Sequence, residues 1–312
     1  MRLATFKPHE DARPVIGVYT GGHYADLHAL SDGALPDNML AFLQMGEQGM
    51  AKAQALLDGV GSDLSGNPHI HAEEGIELCA PVPRPGKIMH TSCNFDAHLA
   101  ELATWQAPEW QSHNWGNFHF EHPTGFLEAP SSVVASGANV AVPHFTRQLD
   151  YEIEIAIIIG KRAFRVPVEE AMDYVAGYTI FNDLSARDIQ AREHSNKVIL
   201  LGKSFDGSCP FGPHLVTRNE LSDPHNLDMK LRVNGEVRQD SNTGKMHYKT
   251  RELVSWWSNT TLEPGDIITS GSPPGVAAGM KAPVWLRPGD RIDATIAELG
   301  TLTTFIVAGQ GD

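Results

Sequence analysis

The stretch "DYEIEIAIIIG", residues 150–160, decides how the rest of the chain reads. From Ala156 to Ile159 it has the unbroken apolar character of a strand covered on both faces inside a packed sheet. Yet it opens with Asp150, Glu152 and Glu154. Strand side chains alternate between faces, so Glu152 and Glu154 share one face, about 7 Å apart along the strand. Two carboxylates so placed repel each other, and the covered run beside them denies them full solvation. A bound cation is the simplest way to keep both ionised there.

Working outward, the 312 residues give room for one large domain or two ordinary ones, and 41% hydrophobic with 20% charged residues is ordinary globular material. A net charge of -14 with no basic stripe argues against nucleic-acid binding. No window reaches the length of a membrane span, and "MRLATFKPHED" lacks the apolar stretch of a secretory signal, so a soluble, cytoplasmic protein is expected. Cys79, Cys93 and Cys209 are odd in number and widely spaced, which suits reduced thiols and neither a disulfide framework nor a zinc knuckle.

Residues 1–80 read as a small N-terminal α/β module. "RLATFK" and "RPVIGVYT" look like strands, and "DNMLAFLQMGEQGMAKAQALLDGV" has helical apolar spacing with Asp37 as a plausible N-cap. The prolines of "CAPVPRPGK" mark a connection. Residues 81–312 alternate short β-runs with Gly and Pro: "KIMHTSC", "EIEIAIIIG", "AGYTIFND", "DMKLRVNGEV", "GDIITSG", "DRIDATIAEL" and "LTTFIV". "VPVEEAMDYV" and "YKTRELVSWWSN" read as helices. The expected class is α+β and β-rich, a sandwich or barrel-like body and not a doubly wound sheet. "LEPGDIITSG" and "LRPGDRIDATI" repeat Leu-X-Pro-Gly-Asp before a strand, which good turn chemistry alone would produce.

Further chemistry sits at element ends. In "GYTIFNDLSARDIQ", Asp183 at a strand end is a third oxygen ligand candidate, and Arg187 and Gln190 share a face if that segment is helical. Lys203 lies in the turn-rich "LGKSFDGSCPFGP". In "SCNFDAHLAE", His98 and Glu101 have the i, i+3 spacing that lets a carboxylate orient an imidazole on a helix.

Taken in order, Glu152-X-Glu154, "NDLSARDIQ", "GKSFD…CPFGP", "VNGEVRQ" and "LEPGDIITSGSPPGV" resemble the fumarylacetoacetate hydrolase family over residues 80 to 308. The resemblance implies a mixed β-sandwich or roll, a homodimer, and Mg²⁺ or Mn²⁺ held by Glu152, Glu154 and Asp183. It implies His98 and Glu101 as the general-base pair, and Lys203 with Arg187 and Gln190 holding the substrate or its developing charge. Ser270 and Ser272 match substrate-contacting positions where the family more often has threonine. The reaction so implied is hydrolysis of a C–C bond in a 2,4-dioxo acid, an acylpyruvate or fumarylpyruvate-like compound, through a metal-stabilised enolate. The alternatives are a dehydratase, decarboxylase or isomerase of a 2-oxo acid, such as a 2-keto-3-deoxy sugar acid, and, in another class, a non-catalytic metal-dependent binding protein. Two departures bear on substrate identity. The segment 102–132 is longer than the family's usual stretch and rich in Trp, His and Phe, a substrate lid or an aromatic loop packed on the core. Glu128 stands where lysine is commoner, removing a positive charge that would favour an anionic substrate.

Overall fold

The computed structural model describes residues 1–60, 66–105 and 121–309. Ile153–Ile159 is a strand buried at every position. Its two faces feed different cores: Ile153, Ile155, Ile157 and Ile159 pack into one apolar cluster, Ala156 and Ile158 into another. Both faces being covered is the physical reason the strand carries no apolar–polar alternation. It pairs antiparallel with Val175–Asn182 on one side and Ile267–Thr269 on the other. Beyond Ile267–Thr269 lie Ile88–Ser92, running parallel, and Thr124–Glu128, antiparallel. Beyond Val175–Asn182 lies Cys209–Thr217, which pairs with Arg2–Lys7, so the N-terminal strands extend the same twelve-stranded sheet.

A second sheet has the order Glu236–Asn242, Asp228–Val233, Arg291–Ile296, Gly300–Val307, Ala138–Ala141. Its Met229, Leu231, Ile292 and Ala294 join the odd-numbered face of the central strand in one core. Burial of Met229, Leu231 and Ile292 contributes about 1.5–3 kcal/mol each. The body is thus α+β, β-rich and mixed in strand direction, as expected. "VNGEV" makes a hairpin because Asn234 and Gly235, with φ of 52° and 83°, supply the two left-handed positions of a tight turn whose twist matches the strands. The two Pro-Gly-Asp turns close alike: Asp266 Oδ2 accepts from Glu263 N and Asp290 Oδ2 from Arg287 N, both at 2.7 Å.

Two local expectations change. The N-terminal helical segment is capped by Asn38, whose Oδ1 accepts from Ala41 N at 2.9 Å, and not by Asp37. That segment also breaks at Gly46, with φ of 56°, into Met39–Gln44 and Gly46–Val60. "VPVEEAMDYV" forms turns and a short 3₁₀ segment, Ala171–Tyr174, because Pro167 biases Val166 away from helix and Val175 already belongs to the sheet. "YKTRELVSWWSN" does hold a helix, Thr250–Trp257. The three cysteines are free. Among the described residues no helix is long and apolar enough to cross a membrane.

Candidate active site

The antiparallel register sets Ile153 against Asn182, which brings Glu152 beside Asp183. Backbone bonds lock the two segments: Asp183 N donates to Glu152 O and Glu152 N to Asn182 Oδ1, each at 2.9 Å. Glu154 is fixed by Gly271 N, which donates to its Oε2 at 2.8 Å. Its Oε1, like Asp183 Oδ1, is buried with no hydrogen-bond partner among the described residues. Buried carboxyl oxygens left without a hydrogen bond are costly, and a divalent cation is consistent with this hard donor set.

The expected trio is brought into one region, but its closest grouping differs. Among the described residues, His90, Glu154 and Asp183 form a group whose ligand atoms lie within 4.8 Å of one another. Glu152 instead turns to two cations, taking Arg187 Nη2 on Oε1 at 2.7 Å and Lys203 Nζ on Oε2 at 2.6 Å. Burial disfavours its charge, but Arg187, Lys203 and His98 outweigh burial and hold its pKa well below the usual carboxylate range. Lys203 also bonds Asp183 and is held charged despite burial by these two carboxylates.

Arg187 begins the helix Arg187–Ser195, and the predicted pairing with Gln190 is present, Nη1 to Oε1 at 3.0 Å. Its remaining donors face inward, Nε to Asp150 Oδ2 at 2.8 Å and Nη2 to Glu152. Asp150 is anchored in turn by Ala277 N and Ala278 N, at 2.8 and 3.1 Å. Arg187 and Gln190 line the cavity, yet the guanidinium is committed to the protein. Asp150 therefore explains the first carboxylate of the opening stretch: it is the anchor of a buried ion network.

His98 and Glu101 lie on the helix Asp96–Leu102, and Nδ1 meets Glu101 Oε2 at 2.9 Å. Gly275 N donates to the other Glu101 oxygen at 2.9 Å, fixing the carboxylate. With Nδ1 carrying the proton, Nε2 is left as acceptor, 3.7 Å from Glu152 Oε1 and so beyond hydrogen-bond reach. His98 lines a cavity of about 500 Å³ together with Lys203, Glu154, Leu102, Trp105 and Phe126. That volume suits a small organic ligand. Ser272 lines the cavity and accepts from Gln239 Nε2 at 2.9 Å. Ser270 is turned to the backbone, accepting from Ile155 N at 3.1 Å and donating to Gly271 O at 2.8 Å.

His90 is the site residue that motif reasoning passed over. It sits mid-strand in Ile88–Ser92, with Nε2 3.3 Å from both Glu154 Oε1 and Asp183 Oδ2. Burial opposes its charge, but Glu154, Asp183 and Glu128 outweigh burial and push its pKa well above the ordinary value. Carboxylates that favour a proton there equally attract a metal cation. Glu128 is not at an open substrate surface: it is 2% exposed and faces His90 Nδ1 at 3.5 Å. A lone imidazole in an apolar strand and a lone carboxylate near the end of a later one were the available signal. Of the aromatic segment, His122 stacks on Trp256 with ring centroids 4.2 Å apart, while His113, His119 and the rest of 106–120 lie outside the described residues.

Known proteins share this arrangement of elements. Residues 87–307 match the fumarylacetoacetate (FAA) hydrolase C-terminal family. The chain is 39% identical to a mitochondrial oxaloacetate tautomerase of Xenopus laevis, over 98% of this chain and 90% of that protein. The structure of a fumarylacetoacetate hydrolase from Exiguobacterium antarcticum superposes with a TM-score of 0.77 at 34% identity, covering 99% of this chain and all of that one. A maleylpyruvate hydrolase from Sphingobium sp. SYK-6, in complex with manganese(II) and pyruvate, gives 0.77 at 30% over the same shares. With the matched segment spanning the central sheet and the site built on it, the chain belongs to the fumarylacetoacetate hydrolase family.

Proposed function

We propose that the chain is a metal-dependent tautomerase of a small 2-oxo dicarboxylic acid of the oxaloacetate type. The observation that carries this is His98, held by Glu101 through Nδ1 and lining the cavity beside the carboxylate cluster. The extent of identity with the oxaloacetate tautomerase supports this choice of substrate class. A divalent ion, when bound by Glu154 and Asp183 with Glu152 beside them, supplies Lewis-acid polarisation of the 2-oxo group.

His98 Nε2 takes a proton from C3 of the keto acid, and the C–H electron pair becomes the C2=C3 bond as the 2-oxo oxygen gains negative charge. Return of the proton to that oxygen completes the enol; the reverse sequence restores the keto form. Glu101 stabilises the imidazolium formed in between. The Lys203 ammonium offsets the negative potential of Glu152 and Asp183, which would otherwise oppose an anionic substrate. Leu102, Trp105 and Phe126 limit water beside the reacting carbon.

Hydrolysis of a 2,4-dioxo acid is the second possibility, because the same free nitrogen can take a proton from water; the likeness to the maleylpyruvate hydrolase favours it. Two assays on metal-loaded protein separate the two. Accelerated decay of the enol absorbance of oxaloacetate, with no cleavage of an acylpyruvate, is the expected result. Release of pyruvate from the acylpyruvate, with enol decay unchanged, would transfer the assignment to the hydrolase. Tight metal binding with neither activity would revive the non-catalytic binding protein.

A further inference from the structure

An imidazole stands beside the carboxylates expected to hold the ion. His90 is 3% exposed, and its Nε2 is 3.3 Å from Glu154 Oε1 and 3.3 Å from Asp183 Oδ2. Adjacent ligand atoms around an ion with bonds of about 2.0–2.2 Å lie roughly 3 Å apart, so His90 Nε2 already stands near such a separation from each carboxylate, and the ligand atoms of the three residues lie within 4.8 Å of one another. Asp183 Oδ2 also bonds Lys203, whereas Asp183 Oδ1 and Glu154 Oε1 are buried without a hydrogen bond among the described residues and so are available to an ion.

The far side of the ring is also built. Nδ1 faces Glu128 Oε2 at 3.5 Å, the ring stacks on Phe126 with centroids 4.5 Å apart and planes 15° apart, and Phe181 meets it edge-on. The pairing of Ile88–Ser92 with Thr124–Glu128 sets His90 opposite Phe126 and Ile88 opposite Glu128, so Glu128 reaches the ring diagonally from the same sheet face. A carboxylate behind an imidazole whose other nitrogen faces ligand oxygens is the arrangement that orients histidine ligands in metal sites. Neither the expected carboxylate trio nor its supporting residues account for this pair.

We propose that His90 Nε2 is a direct nitrogen ligand of the divalent ion, beside Glu154 and Asp183, with Glu128 as its positioning carboxylate. The site then favours ions that accept imidazole, such as Mn²⁺, Co²⁺ or Ni²⁺, over Mg²⁺. This rests on Glu154 and Asp183 as ligands and not on which reaction the enzyme runs.

The test is Mn²⁺ binding to the full chain, read by calorimetry and by pulsed EPR for coupling to a directly bound ¹⁴N. The wild-type Mn²⁺ complex is expected to show imidazole nitrogen coupling, which His90→Asn abolishes while weakening Mn²⁺ binding more than tenfold. Glu128→Gln is expected to weaken it by about 10- to 100-fold. Mg²⁺ should bind the wild type more weakly than Co²⁺ or Ni²⁺, and His90→Asn should narrow that gap. Binding that depends on Glu154 and Asp183 but shows no nitrogen coupling in the wild type overturns the assignment of His90 and leaves the carboxylate site intact. Wild-type binding unaffected by Glu154→Gln and Asp183→Asn, or no Mn²⁺ binding at all, overturns both. The wild-type spectrum decides even if His90→Asn fails to fold.

Discussion

Replacing Arg187 with methionine removes the cation between two buried carboxylates while keeping a long side chain over Trp105, whose ring centroid lies 5.2 Å from the guanidinium. Removing one partner of a buried ion pair costs about 3–5 kcal/mol, because the other charge stays behind unpaired. Here the remaining partners soften the loss: Asp150 keeps Ala277 N and Ala278 N, and Glu152 keeps Lys203. The lower end, about 3 kcal/mol, is therefore expected, which for a chain of this size lowers Tm by roughly 5 °C. The assay is thermal and urea unfolding followed by circular dichroism, run on Arg187→Met, Asp150→Asn and the double variant. The double variant should be less destabilised than the sum of the single ones by roughly 1–3 kcal/mol, because the orphaned charge is gone. A Tm unchanged within about 1 °C, joined to a large rise in KM, would refute the buried-network account and return Arg187 to the substrate-contacting role that the family resemblance implies.

Three other outcomes follow from the same structure. A Cβ added at Gly279 would lie 2.3 Å from Glu101 Cδ and Oε1, so Gly279→Ala should push that carboxylate off His98; kcat should fall by about 10-fold or more with Tm little changed, and equal wild-type kinetics would contradict the orienting role of Glu101. His214, bonded to Tyr24 Oη at 2.9 Å, is pushed down to about 4 by burial first and by Arg2 second. Its folded pKa is thus below the ordinary imidazole value of 6.5, so the unfolded chain binds the extra proton between those limits and stability rises with pH across that window. About 3 kcal/mol should be present above pH 6.5 and lost progressively towards pH 4, and His214→Gln should flatten the pH dependence of Tm; a slope identical to wild type would count against it. Chelation of the divalent ion by EDTA should abolish turnover and lower Tm, with recovery on adding Mn²⁺; full activity after chelation would remove the metal from the account.

What the sequence made legible is mostly local. The i, i+3 pairs His98 with Glu101 and Arg187 with Gln190 are bonded as their spacing implies, because helix geometry fixes those distances within one turn. The two Pro-Gly-Asp turns were likewise written in short-range chemistry, whereas "DMKLRVNGEV", read as one β-run, folds back at Asn234 and Gly235 as a hairpin. The two-faced burial of Ile153–Ile159 followed from its composition. What escaped depends on register between distant segments. His90 meets Glu154 and Asp183 only because Ile267–Thr269 lies between its strand and the central one, and no spacing in the chain encodes that. Glu128 read as a positive charge lost to the substrate because its partner is 38 residues away across a sheet. Asp150 read as part of an acidic run, whereas its role is to anchor Arg187. The failed helix at "VPVEEAMDYV" has the periodicity, but a proline inside the segment and a strand starting at Val175 left it one short turn.

Hydrogen exchange at C3 of oxaloacetate in D₂O, followed by NMR, most directly tests proton transfer by an oriented imidazole. Wild-type protein loaded with Mg²⁺ should accelerate deuterium incorporation at C3, and His98→Asn should reduce that catalysed rate by about 10²- to 10⁴-fold at saturating metal. Deuterium incorporation by His98→Asn at the wild-type rate would contradict the account.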